Sequence, residues 1–236
     1  LPAGVEWADV ELYSLDIAKH ATAPTVPNFL GLACGEPGLI LRATGPLDFE
    51  GVELNFCGQG GIGVPPCMDP FCEPGYEGEP LELWDIKISR HATDALALCV
   101  GGTGNGCGIA LASHDNGATW VRERHECECV AGNCACAGDP DYENNGGANE
   151  TWRWKRFLSL YGVSIFHGTN DAITCGYGGQ CAVRPAPTAG GVGAVWEDRT
   201  QYGNPFVSPH SVKFPMFGAV TATNSTSSTR GYITGT

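Results

Sequence analysis

The chain has few charged residues, and few of those are basic. Only 17% of its 236 residues are charged, and 13 Lys and Arg stand against 26 Asp and Glu, a formal net charge of -13. Nucleic acids and anionic lipids bind proteins through basic surfaces, so this balance argues against both as partners. No apolar run is long enough to span a bilayer, and we expect no membrane insertion.

The sequence also lacks long stretches of helix-forming composition. It contains 34 Gly and 16 Pro, residues that break helices and build turns. Between them lie short segments in which apolar and polar residues alternate, a pattern that predicts half-buried strands. We therefore expect an all-β fold.

Cysteine is abundant, with 12 residues, an even number that is high for a cytosolic protein. Such a number favours disulfide bonds and an oxidising compartment. Two N-glycosylation sequons, at Asn149 and Asn224, agree with a secreted, extracellular glycoprotein.

A repeat organises the chain. Four segments each predict a set of short strands separated by Gly-rich or Ser-rich turns, and at about sixty residues each they match propeller blades with long loops. We therefore predict one β-propeller domain over 1–236. Its blades lie at 8–54, 81–120, 154–196 and 205–236 plus 1–7, and Cys-rich loop insertions occupy 55–80 and 121–150.

The last predicted blade stops one strand short. The missing strand matches the N-terminal segment formed by Gly4, Val5, Glu6 and Trp7, because 231–236 followed by 1–7 aligns without a gap on 108–120. The segment could close the protein's own ring, or complete the last blade of a neighbouring copy. As a third possibility, the chain, which begins at Leu1 without Met, is processed or excerpted from a longer array.

The cysteines suggest specific pairs. Cys99 and Cys107 flank one hairpin turn, and Cys175 and Cys181 flank the corresponding turn one repeat later, so each pair suits a cross-strand disulfide. The symmetric segment 127–136 would place Cys127 opposite Cys136 and Cys129 opposite Cys134. A four-thiolate zinc site is the alternative there, but the spacing favours disulfides, and we expect no metal and no cofactor. The remaining four allow three connectivities: Cys34, Cys57, Cys67 and Cys72.

One motif carries a family resemblance. The residues Ser113, Asp115, Gly117, Thr119 and Trp120 match the pattern S-x-D-x-G-x-T-W at every defined position. The chain therefore resembles the Asp-box (BNR-like) β-propellers, which include sialidases and the photosystem II assembly-factor repeats, the latter being the more similar. In that family the box is a hairpin that stabilises the blade away from the active site. The resemblance implies a structural role for these five residues.

No catalytic set accompanies the motif. Arg42 and Arg184 are expected at equivalent third-strand positions, but two arginines do not make the triad that a sialidase needs. A glycoside hydrolase needs two carboxylates at a defined separation, for which Asp16, Asp85, Glu53 and Glu197 are available without a pattern that brings them together.

We therefore expect a non-catalytic, secreted propeller that acts as an assembly or protein-interaction module, such as a subunit of an extracellular filament or surface layer. Its partners would be other protein subunits, including further copies of itself, and glycans. The alternative is a carbohydrate-binding or glycoside-hydrolase-like propeller.

Overall fold

The computed structural model describes residues 6, 8, 10–19, 29–45, 48–52, 54, 81–90, 95–103, 108–125, 159–166, 169–177, 180–185, 194–198, 216–223 and 229–235. For 103, 124, 125, 198, 216–223 and 229–235 it describes the backbone alone. The described elements are strands and turns, which confirms the all-β class.

The described residues form fourteen strands, which we group in chain order into four units. Unit 1 comprises β1 (Glu11–Lys19), β2 (Phe29–Glu36), β3 (Leu39–Ala43) and β4 (Phe49–Val52). Unit 2 comprises β5 (Leu81–Ile88), β6 (Ala97–Thr103), β7 (Gly108–Ser113) and β8 (Val121–His125). Unit 3 comprises β9 (Leu160–Ile165), β10 (Ala172–Gly176), β11 (Cys181–Arg184) and β12 (Val195–Asp198), and unit 4 comprises β13 (Met216–Thr223) and β14 (Thr229–Gly235).

Units 1 to 3 are each a four-stranded antiparallel sheet in sequential order, and β13 and β14 form an antiparallel hairpin. The units pack through their first strands: β5 lies against β1 and β2, β9 against β5 and β6, and β13 against β9 and β10. Units 2 and 3 are also joined at their outer edges, where β8 and β12 pair in parallel.

The first strand of every unit carries a β-bulge at the same place. The register shifts between Leu12 and Ser14 in β1, between Leu83 and Asp85 in β5, and around Tyr161 and Phe217 in β9 and β13. In each unit the residue at the bulge is aromatic: Tyr13, Trp84, Tyr161 and Phe217. A bulge adds one unpaired residue to a strand and increases its local twist.

Opposite each bulge stands a glycine. A Cβ on Gly35, Gly101 or Gly176 would lie 1.8, 2.0 or 2.2 Å from the carbonyl oxygen of the facing first strand, so no larger residue fits there. Gly235 holds the same register position in β14. It pairs with Met216, the residue before the β13 bulge, as Gly35 pairs with Leu12, the residue before the β1 bulge. The repeat therefore extends into unit 4.

This register corrects the predicted fourth blade. The sequence alignment matched 231–236 to 108–113, the third strand of unit 2, but β13 and β14 correspond to the first and second strands of the other units. Within the described residues, unit 4 comprises these two strands. Glu6 lies outside any strand and is exposed, whereas Gly4, Val5 and Trp7 lie outside the described residues.

A second boundary also differs from the prediction. Val121–His125 was assigned to the second insertion but forms β8, the fourth strand of unit 2. Its buried Glu123 interrupts the expected apolar alternation, which is why the segment did not stand out as a strand.

Two apolar layers lie between the units. The first combines one face of unit 1, including Leu30, Leu32 and Ile40, with the facing side of unit 2, including Ile86 and Leu111. The second lies between units 2 and 3 and contains several alanines, whose small side chains let the two sheets approach closely. Its alanines are Ala110, Ala112, Ala172 and Ala182.

Candidate interaction surface

Units 2 and 3 pack the same three first-strand positions against the unit before them. In β5 these are Leu83, Ile86 and Ile88, which are 0%, 0% and 3% exposed within the layer between units 1 and 2. In β9 the equivalent residues belong to the next layer: Leu160, Val163 and Ile165. The docking of one unit on the preceding one therefore follows a repeated pattern.

The same three positions in β1 are open to solvent. Leu12, Leu15 and Ile17, here called the open stripe, are 51%, 57% and 55% exposed. They lie on one face because their partners Gly35, Ala33 and Gly31 alternate along β2. Exposed Phe49 lies on the same face. Phe49 pairs with Ala43 of β3, and Ala43 lies beside Gly31, the β2 partner of Ile17. Between the open stripe and Phe49, Ala33, Leu41 and Ala43 are 4%, 4% and 2% exposed, so the open apolar surface on β1 is the stripe itself. Exposed apolar surface of this kind marks interaction sites.

Polar side chains add hydrogen bonds to the apolar docking. Asp85 accepts a hydrogen bond from the Val163 amide at 3.0 Å, which links unit 2 to unit 3. Asp16 accepts one from the Ile88 amide at 2.8 Å, and Ser14 donates to Asp85 at 2.8 Å, which link unit 1 to unit 2. Each carboxylate thus satisfies a backbone donor at a junction.

Asp16 and Asp85 both lie on first strands, but at different register positions. The register aligns Asp85 with Ser14, and Asp16 with Lys87, so the two carboxylates are not equivalent. Asp16 also pairs with Arg90, and Asp85 with Lys87. Glu53 lies outside the described residues, and Glu197 lies on β12.

A fully buried ion pair connects units 2 and 3. Arg184 donates to both carboxylate oxygens of Glu123, at 2.7 and 2.6 Å, and both side chains are 0% exposed. Glu123 also accepts from the Trp196 indole at 2.9 Å and from the Ala194 amide at 3.1 Å. The remaining Arg184 nitrogen donates to the Asn170 carbonyl at 2.8 Å. The group is therefore saturated with partners, as a buried charge requires.

This placement corrects the expected equivalence of the two arginines. Arg184 lies opposite Ala172 of β10, and Arg42 lies opposite Leu32 of β2. When the two second strands are aligned at Gly35 and Gly176, Leu32 matches Ile173 and not Ala172. By register Arg184 therefore matches Ser113 of the Asp box and not Arg42. Arg42 instead forms a partly exposed ion pair with Glu50 at 3.3 Å.

The aromatic residues at the bulges meet across the units. Tyr13 stacks on Trp84 with ring centroids 4.5 Å apart, and Tyr161 meets Trp84 edge-on at 5.6 Å. All three are half-buried. Burial raises the pKa of Tyr13, and its 2.9 Å hydrogen bond to the Glu36 carboxylate raises that pKa further. Burial likewise raises the pKa of Tyr161, and electrostatic interaction with Tyr177 and Glu82 raises that pKa further.

The Asp-box residues form a hydrogen-bonded hairpin between β7 and β8. Ser113 donates to Asp115 at 2.8 Å and accepts from the Gly117 amide at 2.8 Å. Asp115 accepts from the backbone and the hydroxyl of Thr119 at 2.8 and 2.6 Å. Trp120 donates its indole N–H to the Gly117 carbonyl at 3.2 Å and packs in the first apolar layer. Gly117 has a φ of 78°, which only glycine adopts without strain.

The Asp115 carboxylate is stabilised by this turn. Its partial burial alone would raise its pKa, but hydrogen bonds from Thr119, Ser113 and the Ala118 amide together lower that pKa. The folded hairpin therefore stabilises the ionised form of Asp115. Every polar contact that the structure gives this residue lies within the turn, which is the structural role that the resemblance implies.

The described cysteines fall in two places. Cys175 lies directly opposite Cys181 on β10 and β11. Cys99 lies opposite Leu111, and Cys107 lies outside the described residues. Cys99 and Cys34 are both 0% exposed in the apolar layer between units 1 and 2, where the Cys34 thiol donates to the Leu83 carbonyl at 3.3 Å. Burial raises the pKa of the Cys99 thiol, and Cys34 raises it further.

Several predicted sites lie outside the described residues. Among them are the sequons at Asn149 and Asn224 and the first insertion at 55–80. The cysteines in this group are Cys57, Cys67, Cys72, Cys107, Cys127, Cys129, Cys134 and Cys136.

The sequence carried a repeat signal that the prediction did not use. A pair formed by an apolar residue and an aromatic one recurs as Leu12-Tyr13, Leu83-Trp84, Leu160-Tyr161 and Met216-Phe217, and each is followed about twenty residues later by a glycine after an apolar run. This pattern marks the first and second strands and gives the register of unit 4. The open stripe follows from it, because its three positions are apolar in units 1 to 3.

Comparisons with protein-family models, with curated proteins and with solved structures found no match to the chain. Within the described part, no helix is long and apolar enough to cross a membrane. The described residues also contain no cluster of three or more His, Cys, Asp or Glu that could hold a metal ion.

Proposed function

We propose that this protein is a non-catalytic, secreted β-propeller-type repeat protein that binds another protein subunit through the open stripe. The observation that supports this proposal most directly is a difference in exposure. Leu15 is 57% exposed, whereas its equivalent in unit 2, Ile86, is packed against the preceding unit and is 0% exposed. An apolar face that is packed at the two junctions whose side chains the structure describes, and uncovered at the first unit, calls for a partner of the same kind.

The propeller-type architecture is supported by the way the units follow one another. Successive first strands pack side by side, and the remaining strands of each unit extend outward in sequence order. The parallel pairing of β8 with β12 agrees with a rotation of similar units about an axis along their strands, because such a rotation leaves equivalent strands parallel. Direct pairing at the outer edge is a departure from regular propellers, whose blades pack face to face.

The non-catalytic role is supported by the way the buried carboxylates are used. Asp16 and Asp85 accept backbone amides across junctions, and Glu123 is saturated by Arg184, Trp196 and Ala194. A catalytic acid or base needs a free oxygen within reach of a substrate. Secretion is supported by the cysteine content and the sequons.

Light scattering after size exclusion tests the proposal. The unaltered chain of 24.8 kDa should elute as an assembly, and Leu15→Arg should reduce it to single chains. Val195→Arg is the matched control, because Val195 is an exposed aliphatic residue on β12, away from the open stripe. Equal masses for all three proteins, each that of a single chain, would contradict an assembly role.

A second candidate function is carbohydrate binding, and the row Tyr13, Trp84 and Tyr161 is what favours it. Half-exposed aromatic rings offer apolar faces, and Glu36 and Glu82 beside them can accept hydrogen bonds from hydroxyl groups. Affinity electrophoresis through soluble polysaccharides tests this candidate. Retardation that Tyr13→Ala abolishes and Tyr177→Ala reduces would support it, whereas unchanged mobility of the unaltered chain in every gel would exclude it for those glycans.

A further inference from the structure

The partner of the open stripe can be narrowed by asking what covers the equivalent residues elsewhere. Ile86 and Ile88 in β5 lie against Ala18, Leu30 and Leu32 of unit 1. The surface that receives a stripe is therefore the other face of the first two strands of a preceding unit. Ser14, Asp16 and Ala18 occupy that face of β1, as their contacts to unit 2 show.

Unit 4 offers this receiving face at the other end of the chain. By register, Gly218, Val220 and Ala222 in β13 hold the positions of Ser14, Asp16 and Ala18 in β1. We call these three positions the tail face. β13 packs against β9 and β10 of unit 3. In the described part of the chain, this contact covers one side of β13, and the tail face lies on the other side. The tail face is small and apolar in sequence, which suits an apolar stripe.

The chain's own tail face does not cover its open stripe. Unit 4 is placed against unit 3, yet Leu12, Leu15 and Ile17 remain more than half exposed. Two complementary surfaces that are present on one chain without meeting produce a head-to-tail contact between copies. Such an interface is heterologous, because each copy contributes a different face.

We propose that the tail face of a second copy of this chain docks on the open stripe, in the geometry by which unit 1 docks on unit 2. This inference rests on the proposed function, since it names the subunit that the open stripe binds. The junction reproduces the internal ones: apolar residues of β1 are buried by the first two strands of the neighbouring copy. Assembly then continues the repeat from one chain to the next, either as an open filament or as a closed ring of copies.

Polar groups at the new junction differ from those inside the chain. Asp85 and Ser14 accept amides of the following unit, whereas the equivalent residue in unit 4 is Gly218, which has no side chain to accept one. The contact between copies therefore lacks the carboxylate bond that holds Val163. We expect it to be weaker than the internal junctions and to depend on protein concentration.

A complementation experiment with two single-face variants tests the inference. Leu15→Arg disrupts the open stripe and leaves the tail face intact, and Val220→Arg does the reverse. Each variant alone should be a single chain by light scattering. An equimolar mixture should form a complex of two chains and no larger species, because only one intact junction remains. Ala222→Arg replaces Val220→Arg if circular dichroism shows that the latter is unfolded.

The other outcomes separate the two levels of the proposal. If the unaltered chain assembles but the mixture does not, the head-to-tail contact is wrong while the assembly function stands. If Val220→Arg and Ala222→Arg still assemble and Leu15→Arg does not, two open stripes face each other and the head-to-tail contact is again wrong. If the unaltered chain stays single at every concentration and Leu15→Arg lowers its melting temperature, the stripe closes its own ring. Both proposals then fail.

Discussion

Glu123 on β8 and Arg184 on β11 form a buried ion pair with two hydrogen bonds of 2.7 and 2.6 Å, and this pair links two sheets that are remote in sequence. The carboxylate belongs to unit 2 and the guanidinium to unit 3, and both are 0% exposed. The parallel pairing of β8 with β12 occurs at the same place. The charges therefore fix the outer edge of the junction, while small apolar residues fill its interior.

Removing Arg184 should destabilise the protein strongly. Arg184→Leu leaves the Glu123 carboxylate buried without its main partner, which costs about 3–5 kcal/mol of unfolding free energy. Arg42→Leu is the control, because its pair with Glu50 is partly exposed and contributes about 0–1 kcal/mol. Equilibrium urea unfolding measures both. Combining Glu123→Leu with Arg184→Leu should recover part of the loss, and equal losses for the two arginine variants would contradict the role of the pair.

Asp115 should make stability depend on pH in the acid range. Its pKa is lower in the folded hairpin than in the unfolded chain, so its contribution is present above the ordinary aspartate pKa of about 3.9 and is lost as pH falls through the lower folded value. Thermal unfolding should show a lower melting temperature for Asp115→Asn at pH 6. The difference from the unaltered chain should shrink below pH 4. A difference that stays constant down to pH 2 would contradict this assignment.

Ser113→Ala tests the same hairpin from its buried side. The hydroxyl accepts from the Gly117 amide, and without it a buried donor loses its partner, which costs about 1–3 kcal/mol. The loss should be larger at pH 6 than at pH 3, because Ser113 also donates to the ionised Asp115 and helps to lower its pKa. Urea unfolding at the two pH values separates the part that depends on the Asp115 charge from the part that remains at pH 3.

The glycines opposite the bulges should tolerate no side chain. Gly101→Ala would place a Cβ 2.0 Å from the Glu82 carbonyl oxygen, so the paired strands must separate locally. Gly31→Ala is a milder change, because its Cβ would meet side chains alone, Ala43 at 3.1 Å and Ile17 at 3.9 Å. We expect a marked fall in the melting temperature for Gly101→Ala and a smaller fall for Gly31→Ala. The reverse order would show that the bulge register is wrong.

Cys34 and Cys99 should form the disulfide in this part of the chain. Oxidised glutathione accepts the electrons of the two thiols, so that one protein disulfide forms and two glutathione thiols are released. A non-reducing peptide map of the oxidised protein should contain the Cys34 and Cys99 peptides linked together. Linkage of Cys99 to Cys107 instead would support the pairing suggested by the turn and contradict the observed neighbours.

How far the sequence predicted this structure differs between elements. The all-β class, the first three strand sets and the Asp-box turn follow from local alternation and turn chemistry, which act over a few residues. Strand β8 was missed because a charged residue, Glu123, lies buried in it, and its partner Arg184 comes from another unit. The fourth repeat was misaligned because composition fits either neighbouring strand, whereas the bulge and its glycine fix the register. The open stripe could not be recognised without that register.

Oxidative footprinting of the Leu12–Ile17 segment tests the central claim most directly. Hydroxyl radicals label exposed Leu and Ile side chains, and tandem mass spectrometry resolves Leu15 and Ile17 individually. The account predicts that labelling of these residues falls as protein concentration rises, while labelling of Val195 stays constant. Labelling of Leu15 that is equal at low and high concentration would contradict the claim that the open stripe is covered by another subunit.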